Sequence, residues 1–101
     1  MAGIAFIVLS SGAEPAQHRM VLETQAFDLT VVAVPDYSSA ADVARELYKE
    51  GIETIELCGG FGHIGTAEVV SSVPQAHIGV VRFDGHPGLH GESGDAHFGV
   101  R

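Results

Sequence analysis

Three reactive side chains lie close together in one segment: Glu56, Cys58 and His63, in the run Ile55-Glu56-Leu57-Cys58-Gly59-Gly60-Phe61-Gly62-His63-Ile64-Gly65. A carboxylate and an imidazole suit general acid/base work. A thiol at the end of a strand, ahead of a helix N-terminus, suits a nucleophile. A nucleophile elbow wants glycine two residues before and two after the nucleophile. Gly60 fills the second place, but Glu56 occupies the first, so the match is half a motif. The glycines let backbone N–H groups approach a ligand, and with a following helix they can form a nest for phosphate or carboxylate. No Lys-Ser/Thr follows, which excludes a nucleotide P-loop. The spacing also departs from the dinucleotide-binding G-x-G-x-x-G.

A second group follows at Arg82-Phe83-Asp84-Gly85-His86 and continues to His90. Arg82 is one of only five basic residues and suits a carboxylate clamp. Asp84, His86 and His90 with His63 form an alternative, metal-binding reading, since nitrogen and oxygen donors suit zinc-like ions. Their spacing matches no named zinc motif.

The surrounding pattern says what must position these groups. Ile4 to Leu9 is a continuous apolar run, read as a first strand, and Ser10-Ser11-Gly12 ends it. Pro15 suits the first turn of a helix, placed at about 15–23. Phe27 to Val34 is a second strand. Ser38 or Ser39 caps the next helix, where Ala40, Val43, Ala44 and Leu47 recur at helical spacing, and Gly51 stops it. Ile52 to Cys58 is a third strand, residues 62–73 a third helix ended by Pro74, and Ala76 to Phe83 a fourth strand. The last stretch, from Asp84, holds five glycines and three histidines without periodicity.

This alternation predicts an α/β domain over 1–84 and a Gly/His-rich loop or tail over 85–101, packed on the same domain or on a neighbouring subunit. The sheet is expected to be four-stranded and parallel, with order 2-1-3-4 and helices on both faces. A ferredoxin-like arrangement is the alternative. Ligands of open parallel sheets sit outside the strand C-termini, where the chain reverses direction. There Ser10, Ser11, Gly59, Gly60, Phe61 and Gly62 are expected to meet Arg82, Asp84 and His86. Alternation places Glu56 opposite Ile55 and Leu57, on a face expected to be covered. It therefore needs a partner, such as a helix residue, a neighbouring subunit or Arg82.

Composition narrows the classes. The 101 residues carry 13 acidic and five basic side chains, a formal charge of −8, which opposes binding to nucleic acid or an anionic membrane. One cysteine excludes an internal disulfide. The first apolar run is too short for a membrane span or a signal peptide, so a cytoplasmic location is expected. At 46% hydrophobic, a chain this short is expected to extend its core into a subunit contact, as a homodimer or higher homo-oligomer.

The central segment, together with Val80-Val81-Arg82-Phe83-Asp84, His86-Pro87-Gly88, Ala13-Glu14-Pro15-Ala16 and His18-Arg19, resembles an uncharacterised family of small bacterial proteins classed as a domain of unknown function. The resemblance covers nearly the whole chain. It implies a stand-alone cytoplasmic protein of about this length and brings no activity, cofactor or catalytic residue.

Three functional expectations follow. One is an enzyme acting on a carboxylate- or carbonyl-bearing metabolite. In it Gly59–Gly62 and Arg82 hold the anion, and His63 moves protons with Glu56 or His86. The second is a non-catalytic ligand-binding or sensor module using the same small-molecule pocket. The third is a metal-binding protein.

Overall fold

The computed structural model describes residues 3–83 and 85–98. The β-branched and aliphatic runs become strands β1 (Ile4–Leu9), β3 (Asp28–Val34), β4 (Thr54–Leu57) and β5 (His77–Val80). All four pair in parallel, and in space they run β3-β1-β4-β5, the expected order. Helices α1 (Tyr37–Lys49) and α2 (His63–Ser72) form the two crossovers. The α1 cap differs from expectation by a few residues. Asp36, not Ser38 or Ser39, caps it, accepting from the Ser39 N–H at 2.8 Å. Gly51, at φ 98°, closes the other end. Its N–H donates to the Tyr48 carbonyl and that of Ile52 to the Leu47 carbonyl, a Schellman arrangement.

The sheet itself departs from expectation. It is mixed and has five strands, because the segment expected as the first helix is strand β2 (Arg19–Glu23), antiparallel to β3 at the sheet edge. A turn over Thr24–Phe27 joins the two, held by Thr24 Oγ1 donating to the Phe27 carbonyl at 2.6 Å and accepting from the Phe27 N–H. On the side facing α1, Arg19 pairs with Glu50 at 3.2 Å.

Losing that helix changes the layers. The crossovers β3-α1-β4 and β4-α2-β5 step the same way across the sheet, so right-handedness puts both helices on one face. That face is the core. Ala5, Ile7, Val32, Val34, Ile55 and Leu57 are fully buried against Ala40, Ala44, Leu47 and Val69. Each large aliphatic side chain buried this way contributes about 1.5–3 kcal/mol. Helices on both faces are therefore absent among the described residues: the opposite face of the sheet carries none. No helix among these residues is long and apolar enough to cross a membrane.

Beyond β5, a 3-10 turn at Pro87–Leu89 leads to a short helix, α3 (Gly94–Phe98), which packs on α2.

Candidate functional site

Parallel pairing carries residues 10–12, 58–63, 82, 83, 85 and 86 to one rim, the C-terminal edge of the sheet. Hydrogen bonds tie the rim together. The Ser10 N–H donates to the Val34 carbonyl at 2.8 Å, the Leu9 N–H to Cys58 Sγ at 3.3 Å, and Arg82 Nη1 to the Phe61 carbonyl at 3.1 Å.

The crevice between β1 and β4 is not open. Phe61 fills its floor, fully buried and stacked on Tyr37 with ring centroids 5.5 Å apart. The segment after β5 closes the top. Phe83 and His86 lie over Gly59, where a Cβ would meet the Phe83 ring at 2.5 Å. Gly94 lies so close to the Gly60 carbonyl that no side chain fits between them.

The start of α2 is held by the chain's own carboxylate. Asp95 accepts from the Ile64 N–H at 3.2 Å and from the Tyr37 hydroxyl at 3.0 Å. That hydroxyl in turn accepts from the buried Gly62 N–H at 3.0 Å. The N–H groups at this turn are thus taken up within the chain, that of Ile64 by Asp95 and that of Gly62 by the Tyr37 hydroxyl. Tyr37 is pushed up to about 12, with burial the largest cause. The Gly62 N–H, which would stabilise a phenolate, pulls the other way, while the hydrogen bond to Asp95, its charge and Cys58 push further up.

Glu56, Cys58 and His63 are not brought together. Glu56 is exposed on the face without helices, so the expectation of a covered, partnered carboxylate is corrected; Arg82 turns to Phe61 instead. His63 is exposed at the first position of α2. Half-buried Cys58 faces the Leu9 N–H. Among the described residues no hydrogen bond links any two of them. His86 Nδ1 accepts from the Gly88 N–H at 2.9 Å, capping the 3-10 turn. His90 begins the next turn in a left-handed conformation, φ 57°. Asp84 lies outside the described residues. Among those described, no three His, Cys, Asp or Glu side chains are grouped closely enough to hold a metal ion.

The open part of the rim lies one strand over, beside β3. A groove of about 260 Å³ is lined by Ser10, Ser11, Gly12, Ala13, His18 and Ala33. It adjoins a second hollow of about 360 Å³ that shares Ser10, His18 and Ala33 and adds Val8, Arg19, Met20 and Val31. His18 is oriented locally: its Nδ1 accepts from the Glu14 N–H at 2.8 Å. In the neutral ring the proton is then on Nε2, which is left to donate. His18 lies in the segment expected as a helix, outside the residues expected at the rim. Its neighbours Ser10 and Ser11 were singled out.

A family model with the description "Family of unknown function (DUF6506)" matches residues 2–96. No curated protein and no solved structure matches the chain.

Proposed function

Starting from the family of unknown function (DUF6506) to which this chain belongs, we propose that the protein is a small-molecule-binding domain for a carboxylate- or carbonyl-bearing metabolite, taken in the groove beside β1 and β3. The observation that carries this reading is the pair of adjoining hollows at the strand C-termini, polar at one end and apolar at the other. Two serine hydroxyls and His18 Nε2–H are donors for the oxygen atoms of a ligand. Val8, Met20 and Val31 offer contact to an aliphatic body. Binding stands ahead of catalysis because His63, Glu56 and Cys58 face different surroundings. The Gly59–Gly62 half of the rim is covered by Asp95, Phe83 and His86.

Calorimetric titration with straight-chain monocarboxylates from acetate to octanoate tests the reading. The native chain should bind, and more tightly as the chain lengthens. Removing a donor to a charged group costs about 1.5–3 kcal/mol, so His18→Ala should weaken octanoate roughly 10–100-fold. His63→Ala should leave the titration unchanged. Absence of binding across the series, or a loss caused by His63→Ala and not by His18→Ala, sinks the proposal.

A further inference from the structure

We propose that the trough between β2 and α1 binds a linear polyamine, a chain of ammonium groups joined by short methylene spacers. Helix α1 packs on β1 and β3 and leaves the helix side of β2 extending beyond it as a shelf. Strand alternation puts Arg19, Val21 and Glu23 on that shelf, opposite Val32, Thr30 and Asp28 of β3. Two hollows lie along it, of about 360 and 400 Å³, with Arg19 in the wall of both. Each falls within the roughly 300–1,000 Å³ of small-molecule sites.

Charge, a buried hydroxyl and spacing select the ligand. Glu23, Asp28 and Glu50 line the first hollow, and Asp42 and Glu46 the second. Arg19 pairs with Glu50 and Arg45 with Asp42. Glu23, Asp28 and Glu46 have no cationic partner among the described residues. Glu23 and Asp28 stand directly opposite each other on adjacent strands, where like charges repel. The C-terminal end of α1, which carries partial negative charge, borders the same hollow at Glu50 and Gly51. Thr30 lines this hollow at only 6% exposed, and among the described residues its hydroxyl has no hydrogen-bond partner. No fully enclosed polar side-chain atom among those residues lacks a partner, so the Thr30 hydroxyl opens into the hollow, where it can accept from an ammonium group. The carboxylates are spread out: among the described residues no three are grouped closely enough for a metal ion. Asp42, Glu46 and Glu50 instead step along one stripe of α1, each about 5.4 Å from the next, which suits propylene and butylene spacers. Val21, Val43 and Ile52 offer contact to the methylenes between the charges.

Calorimetric titration with spermidine at low ionic strength tests the proposal. Spermidine should bind the native chain, and more tightly than Mg²⁺. Neutralising the facing pair, Glu23→Gln with Asp28→Asn, should weaken spermidine roughly 10–100-fold. Thr30→Val keeps the shape and removes the hydroxyl, and should weaken it roughly tenfold. If the double variant loses the native circular dichroism, Glu46→Gln on the exposed flank of α1 is read in its place. Glu56→Gln with Glu68→Gln removes the same charge away from the trough and should leave the affinity unchanged. The octanoate titration probes the other face of the sheet, where Val8, Met20 and Val31 lie, so the two readings fail separately. Absence of spermidine binding overturns the proposal. So do Mg²⁺ binding of equal strength, trough variants that keep native affinity, or an equal loss in the Glu56 and Glu68 pair.

Discussion

Exchanging Gly65 for alanine is expected to destabilise the fold by about 2–3 kcal/mol and to lower the melting temperature by roughly 10–20 °C. Gly65 is buried in the first turn of α2, where a Cβ would overlap the Tyr37 ring, at 2.7 Å from Cδ1 and nearer still to Cε1 and Cζ. The ring cannot retreat. It is 2% exposed, stacked on Phe61 and 6.0 Å from Phe98, with its hydroxyl held by Gly62 and Asp95. Overpacking costs roughly 1–3 kcal/mol, and a shifted ring also strains two hydrogen bonds worth about 1 kcal/mol each. Against this, alanine gains about 1 kcal/mol of helix propensity over glycine. The balance stays unfavourable only while the ring is fixed. In the background Tyr37→Ala, the same Gly65→Ala change should therefore be neutral or stabilising. Calorimetry on the four chains of this cycle gives the coupling directly. Equal effects of Gly65→Ala in both backgrounds would mean that the two helices have room to part.

Four of the strands could be read because each is a short apolar run between turn residues, and parallel strands covered by helices need such runs. The α1 helix could be read from its one apolar stripe, and its end from Gly51. Strand β2 could not. Pro15 followed by Ala16 and Met20 resembles a helix start, and the Thr24–Phe27 turn contains neither glycine nor proline to announce a hairpin. Pairing with β3 decides the conformation, and local pattern does not record pairing. One misassigned element then moved a whole layer. With β2 in place of a helix, no helix among the described residues covers the face bearing Phe6, Val31 and Glu56, and Glu56 is exposed there.

The rim was legible as a place but not as a surface. The expected order brought residues 10–12, 58–63, 82, 83, 85 and 86 to one edge, and the N–H of Ile64, just past the glycine turn, meets a carboxylate. That this carboxylate is Asp95 could not be read, because Gly85–His97 has no periodicity to place it. Gly94 carries the signal in retrospect: helix α3 approaches the Gly60 carbonyl at the one residue that has no side chain to obstruct it. His18 was hidden by the same error that hid β2. His18 directly precedes edge strand β2, where it lines the groove.

Tyr37→Phe isolates what holds the crevice shut. The substitution leaves the buried Gly62 N–H without its acceptor, which costs about 1–3 kcal/mol at neutral pH. The loss should have a distinct pH signature. A tyrosine ionises near pH 10 in the unfolded chain and, here, near pH 12 in the folded one. Its contribution is fully present below pH 10. Between pH 10 and 12 the native chain keeps a proton that the unfolded chain has lost, so stability falls as pH rises. The slope approaches 1.4 kcal/mol per unit, and the total loss reaches about 2–3 kcal/mol. Phenylalanine has no proton to lose, so the variant lacks this decline. Urea unfolding at pH 8, 10 and 11.5 should show native and variant stabilities converging across the upper two points. A gap that stays constant would place the Tyr37 hydroxyl in water, free of Asp95. The native hydrogen bond between them would then contribute nothing to keeping α3 over the rim, and the crevice between β1 and β4 would have to be held closed by Phe83, His86 and the Gly60–Gly94 contact alone.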